Sequence, residues 1–416
     1  MPTIWGDGYS IRRSQRGGIW MQGETNGTDI APKEQAGSAS TSVDQLTPER
    51  IEAAYAAARE EEIRSRRPVT VLVAGNTGAG KSTLINTVFG REVARTGTGR
   101  PVTEDVEEYV SEVPPLRLLD TRGFEAGDGI AFDKVDAELA RRREQGDPAA
   151  HIHVAWLCVL SGSNRFEPVH EKFVQRVAER DIPCVIVLTQ ADRETDLRDH
   201  ISRFLDEHRR RFPNHDIDAL ELLAQPTKGR NGQETKAHGV TELLNLTDRF
   251  LDSGMKSAFA QAQIVNIDLK KREARTIVTL ATAAAGGTAV IPVPGGHGVA
   301  LALIQVGMMA KIDLIFGRSL LGGKTAIQGA TTKIVAMGGR WAFGLALETA
   351  LKFIPGAGSI AGTAIGGTVG GAITATLGLA YIEISARVAS GDTTLSDAAA
   401  ILDALLAEFL KMKRAA

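Results

Sequence analysis

The stretch VTVLVAGNTGAGKST, residues 69–83, decides how this chain is read. Its first seven residues form an unbroken aliphatic and β-branched run, the pattern of a strand covered on both faces. Gly75 to Ser82 fit GxxxxGK[ST], and the sequence after them, STLINTVFG, reads as a helix. A strand that feeds such a loop and then a helix is the context in which the motif has chemical meaning. Backbone N–H groups of the turn wrap phosphates, and the helix N-terminus adds positive potential. On this reading Gly75, Asn76, Thr77, Gly78, Ala79 and Gly80 are the cradle, and Lys81 reaches the terminal phosphates. Ser82 would ligate Mg2+, and Thr83 would touch the inner phosphate.

Outward from this stretch, short apolar runs alternate with charged helical ones. DVEEYVSEV (105–113) and LRLLD (116–120) flank Pro114 and Pro115 and read as a hairpin pair. IHVAWLCVL (152–160), CVIVLTQ (184–190) and ALELLA (219–224) are further strands, with KFVQRVAER and LRDHISRFLDEHRRRF as helices between them. Alternation of this kind predicts an α/β fold, a P-loop NTPase three-layer sandwich with a mostly parallel sheet, over residues 68–255. Upstream, residues 1–45 are Gly-, Ser- and Thr-rich without periodicity and read as a disordered tail. Residues 46–67 read as a leading helix, with Thr47 as N-cap and Pro48 at the first helical position.

Two later elements refine the phosphate loop. Asp120-Thr121-Arg122-Gly123 closes a strand in DxxG form. Asp120 would hold Mg2+ through water, and the Gly123 N–H would sense the terminal phosphate. In RTGTGRPVTED (95–105), Thr103 is the choice for the residue closing on metal and phosphate, with Thr96 and Thr98 as rivals. Thr189-Gln190-Ala191-Asp192 ends the CVIVLTQ strand, where a base reader belongs. A carboxylate there accepts from N1 and N2 of guanine, whereas adenine would leave it unpaired at considerable cost. Gln190 stands where [NT]KxD has lysine, which weakens the packing on the base and keeps an ATPase open as an alternative. Lys81 and Thr103 are the candidate catalytic residues, and the candidate metal ligands are Ser82, Thr103 and Asp120.

The order and spacing of GNTGAGKST, GRPVT, DTRG and TQAD resemble a GTPase of the TRAFAC class, nearest its Era-like and septin-like branch. WLCVL and RFEP also resemble that branch. The resemblance implies a GTP-binding enzyme that uses Mg2+ and converts GTP to GDP and phosphate. Ras-like enzymes place a water-orienting glutamine after DxxG. Phe124 stands there instead, so slow intrinsic turnover is expected, with self-association as one route to acceleration and Arg100 or Arg122 as candidate charge-neutralising groups.

Residues 256–416 read as a separate all-α, glycine-rich apolar domain, resembling a helical region of unknown function fused to bacterial Era-like GTPases. No Asp, Glu, Lys or Arg occurs from Thr276 to Ala310, nor from Phe353 to Ile382. Pro292 and Pro294 split the first run into arms shorter than the ~20 residues a spanning helix needs. Gly358, Gly362, Gly366 and Gly370 in the second run recur every fourth residue, as closely packed helices require. Lys270, Lys271, Arg272 and Arg275 precede the first run and Lys311 and Arg318 follow it, which fits a hairpin entered from the cytoplasm. Contact with membrane lipid at the inner face of the cell membrane is one reading, and a soluble bundle with central apolar helices is the other.

Composition narrows the classes. Over 416 residues, 48 Lys+Arg against 50 Asp+Glu give a net charge of −2, against a whole-surface nucleic-acid binder. A ribosome- or RNA-associated GTPase stays open as an alternative, although no basic-aromatic surface is evident. A GTP-gated interaction module with negligible hydrolysis is another. The two cysteines exclude a disulfide framework and a thiolate zinc site. MPTIWGDGYSIRRSQRGG lacks a secretory apolar run, so a cytoplasmic location is expected.

Overall fold

The computed structural model describes residues 12–13, 47–90, 107–111, 115–121, 123, 129–144, 151–163, 165–191, 197–228, 234–287, 296–317, 369–402 and 404. Thr96, Thr98, Arg100, Thr103, Arg122, Phe124 and Asp192 lie outside the described residues, as do Gly358, Gly362 and Gly366. Contacts divide the chain into two compact units. The first comprises Met1–Arg13, Glu61–Glu273 and Ile315–Gly317, and the second Ser14–Glu60, Ala274–Leu314 and Arg318–Ala416.

The first unit is built on a sheet of β1 (Arg12–Arg13), β2 (Val69–Gly75), β3 (Glu107–Ser111), β4 (Leu116–Asp120), β5 (Val154–Leu160), β6 (Cys184–Thr189) and β7 (Ile217–Leu222). The spatial order is β1-β3-β4-β2-β5-β6-β7. β4, β2, β5, β6 and β7 run parallel, β3 is antiparallel to β4, and β1 is antiparallel to β3. The hairpin expected around Pro114 and Pro115 is the β3–β4 pair. Within residues 1–45, Arg12 and Arg13 form a two-residue strand, Arg12 pairing with Val110 and Arg13 with Tyr109. An edge strand such as β3 presents unpaired N–H and C=O groups that any extended segment can meet.

Alternation along β2 sorts side chains into two cores. Val69, Val71 and Val73 join Leu84 and Val88 of α2 (Lys81–Phe89), Leu243 and Leu244 of α6 (Val240–Phe250), and Phe259 of α7 (Ser253–Ala262). Leu72 and Ala74 join Val135 and Leu139 of α3 (Gly129–Glu144), Phe173 and Val177 of α4 (Pro168–Ala178), and Ile201 and Leu205 of α5 (Leu197–Arg211). Helices thus cover both faces, the three-layer arrangement expected. Trp156 of β5 is fully buried and donates its indole N–H to Thr247 Oγ1 at 3.0 Å. Cys158 and Cys184 are free and buried in strands. A short hairpin, β8 (Thr227–Lys228) with β9 (Glu234–Thr235), follows the sheet.

The second unit is helical among its described residues. It draws on α1 (Pro48–Ser65), α8 (Ile267–Gly287), α9 (Gly296–Phe316) and α10 (Val369–Ser390). Both helices are longer than the arms expected from the uncharged run: α8 begins before the charged segment 269–275, and α9 continues through Lys311 and Asp313, so each helix has 21 residues. Asp313 is tolerated because Tyr55 and Tyr381 donate hydroxyl hydrogen bonds to its two oxygens, at 2.6 and 2.7 Å. Val299–Phe316 and Gly370–Ser390 are long and apolar enough to cross a membrane by length and composition, and most of each is buried. Small residues allow the helices to approach: a Cβ on Gly378 would lie 2.6 Å from Val278 and 2.8 Å from Met308.

Candidate functional site

Parallel register brings the ends of four strands together, since Val73 pairs with Asp120, Gly75 with Cys158 and Thr189 with Leu160. Ligands of open α/β sheets gather at these carboxyl ends. Gly75 leaves β2 with φ 138°, and a Cβ there would sit 2.0 Å from the Cys158 carbonyl oxygen. Only glycine passes through such a gap. The loop then turns into α2 with Gly80 at the N-cap in left-handed conformation and no side-chain hydrogen bond to the cap. Helix-terminal N–H groups without a side-chain cap are available to an anion.

Lys81 folds over this loop, donating from Nζ to the carbonyls of Gly75 at 3.0 Å and Asn76 at 3.1 Å. Burial lowers its pKa from the usual lysine value, and the charge of Asp120 opposes that shift. Ser82 Oγ donates to Asp120 Oδ2 at 3.1 Å. Asp120 is fully buried, and its other oxygen, Oδ1, has no hydrogen-bond partner among the described residues. Burial pushes its pKa up to about 6, against the opposing pull of Lys81 and of the Ser82 hydrogen bond. A hydroxyl and a carboxylate are the hard oxygen donors that Mg2+ takes, and the open oxygen would gain a partner. These residues therefore fit Mg2+.

Gly123 rests on the phosphate loop, where a Cβ would lie 2.3 Å from the Thr77 nitrogen. Thr189 Oγ1 donates to the Ala79 carbonyl at 2.7 Å, so the end of β6 is tied to the same loop. Gln190 has φ 54° and points Nε2 at the Gly78 carbonyl at 3.5 Å. Thr83 lies in the first turn of α2. The candidate residues that are described thus converge, from Gly75 through Thr83 with Asp120, Gly123, Thr189 and Gln190.

From sequence, Glu167 enters only as part of the RFEP stretch, with no role at the site, and His170 does not enter at all. Asn76 Nδ2 donates to Glu167 Oε2 at 3.1 Å, and His170 Nε2 lies 2.8 Å from Asn76 Oδ1. Pro168 with Glu167 and His170 at capping-box spacing signals a helix start. Nothing local signals that these side chains reach a loop more than ninety positions away.

Residues 70–190 match the family described as 50S ribosome-binding GTPase, a match to under a third of the chain. This segment has the P-loop GTPase fold. The tRNA modification GTPase MnmE of Acidiphilium cryptum is 34% identical over 131 residues, 31% of this chain and 27% of that protein. Its Bradyrhizobium counterpart is 38% identical over 135 residues, 32% and 29% of the two chains. This chain therefore spans less than a third of the length of these relatives. Among solved structures, a probable GTP-binding protein engB is 20% identical, with coverage of 44% of this chain and 98% of that one and a TM-score of 0.30.

Proposed function

We propose that this chain binds GTP with Mg2+ in the loop 75–83 and hydrolyses it slowly to GDP and phosphate. The observation that carries the reading is the convergence of Lys81, Ser82 and the half-satisfied Asp120 beneath an uncapped helix N-terminus. The 50S ribosome-binding GTPase match and the MnmE relatives support the same chemistry. Bound Mg2+ would neutralise charge between the β- and γ-phosphates. Ser82 and Asp120 would hold it, with Thr103 completing the set. Lys81 would exchange the two loop carbonyls for phosphate oxygens. Gly123 would report the terminal phosphate, and Asp192 would read the guanine. Phe124 supplies no water-orienting group, hence the slow turnover.

Phosphate release over hours, with and without Mg2+, tests this reading. Lys81→Ala should abolish both binding and release, and Asp192→Asn should shift preference toward xanthosine nucleotides. Wild-type protein releasing no phosphate above the Lys81→Ala background would leave only the non-hydrolysing module, and preferential competition by ATP would favour the ATPase. An RNA-associated role is a second reading, favoured by the family description and the names of the MnmE relatives. Saturable, GTP-dependent retention of tRNA or ribosomal RNA on filters would support it.

For the second unit, the hydrogen bonds from Tyr55 and Tyr381 to Asp313 support a protein-packed bundle over insertion of α9 into lipid. Nucleotide-driven switching of this unit, with or without lipid contact, belongs to the same proposal.

A further inference from the structure

The first turn of α4 reaches into the phosphate loop through one amide side chain. The Glu167 backbone N–H donates to His170 Nδ1 at 3.0 Å, so the neutral ring carries its proton on Nε2. That proton is directed at Asn76 Oδ1, 2.8 Å away, while Asn76 Nδ2 donates to Glu167 Oε2 at 3.1 Å. Both ends of the Asn76 amide are engaged, which fixes its orientation. The Asn76 carbonyl, in turn, accepts from Lys81 Nζ at 3.1 Å and from the Ala79 N–H at 3.1 Å. His170 is 1% exposed and packs on Phe166 with ring centroids 5.3 Å apart, so its position is set by the fold rather than by solvent. The stretch RFEPVHE thus has a task beyond starting a helix.

We propose that Glu167 and His170 are positioning residues for nucleotide binding, holding the phosphate loop in binding geometry through the side chain of Asn76. The inference rests on the GTP-binding reading above and deepens it: the pair sets the loop carbonyl that parks Lys81 and the turn whose N–H groups face the phosphates. A helix cap alone would affect stability, whereas a strut acting through Asn76 affects affinity and does so only while Asn76 is present.

The test is titration of full-length protein with a fluorescent guanosine diphosphate in Mg2+, using Asn76→Ala, His170→Ala and the double variant, with melting temperatures measured alongside. Each single variant should weaken binding about tenfold, the effect of one lost hydrogen bond of ordinary strength. The double variant should bind no more weakly than Asn76→Ala, because groups acting through one partner are not additive. Equal weakening by His170→Ala with and without Asn76, or unchanged affinity in the single variant, would overturn the proposal. If His170→Ala does not fold, Glu167→Ala and Glu167→Gln carry the test. Loss with alanine and recovery with glutamine, which keeps an acceptor oxygen, is expected; wild-type affinity in both overturns it. Wild-type protein that binds no better than Lys81→Ala would remove the GTP-binding reading itself, a failure visible before any variant of α4 is made.

Discussion

A carboxyl group as enclosed as that of Asp120 prefers to keep its proton. Its folded pKa of about 6 lies above the ordinary 3.8. Its contribution therefore favours the folded state most below the unfolded value and is withdrawn as pH rises through about 6. The gap corresponds to roughly 3 kcal/mol at most. His170 runs the other way: burial lowers it from 6.5 to about 4, so its contribution is present above 6.5 and lost as pH falls toward 4. Asp120→Asn is expected to raise the melting temperature of nucleotide-free protein at pH 7.5, to flatten its dependence between pH 4 and 6, and to abolish Mg2+-dependent nucleotide binding. Calorimetry at pH 5 and 7.5 checks this, and a lower melting temperature at pH 7.5 would contradict it. The longer cationic stem introduced by Gln190→Lys should tighten guanine-nucleotide binding severalfold, read by the same fluorescent titration.

Of the secondary-structure elements, the strands of the sheet are the most legible in the sequence. VTVLVAG is β2 residue for residue, because a fully buried strand bounded by Pro68 and the glycine loop leaves little freedom at either end. The phosphate loop was readable for the same reason, since strand, glycines and helix are consecutive. Contacts between distant segments were not. Tyr55 and Asp313 are 258 positions apart, and Tyr381 and Asp313 are 68 apart, so no local pattern announced that α9 runs past its apolar stretch. The Asn76 link to α4 escaped for that reason too. Two predictions follow from these helix contacts. Gly378→Ala should destabilise by about 1–3 kcal/mol despite alanine's better helix propensity, because the added methyl meets Val278 and Met308. Tyr55→Phe with Tyr381→Phe should cost about 1–3 kcal/mol by stripping hydrogen bonds from a buried carboxylate. Urea unfolding measures both, and unchanged midpoints would refute the packing described.

For the whole molecule, the question is whether the helical unit meets lipid. Two described helices pass the length and composition test for a membrane span. One of them holds Asp313, buried between two tyrosines, and α1, which supplies Tyr55, is rich in charge. The expected outcome is that full-length protein stays in the supernatant after ultracentrifugation without detergent. Salt-resistant pelleting would favour insertion instead.

Trp156, sealed in the interior strand β5 with its indole tied to Thr247, offers an optical handle on the sheet. A chromophore in that setting emits toward the blue, and its shift to longer wavelength marks the moment water enters between β5 and α6. Unfolding of the sheet unit should therefore be visible in intrinsic fluorescence, without any added label.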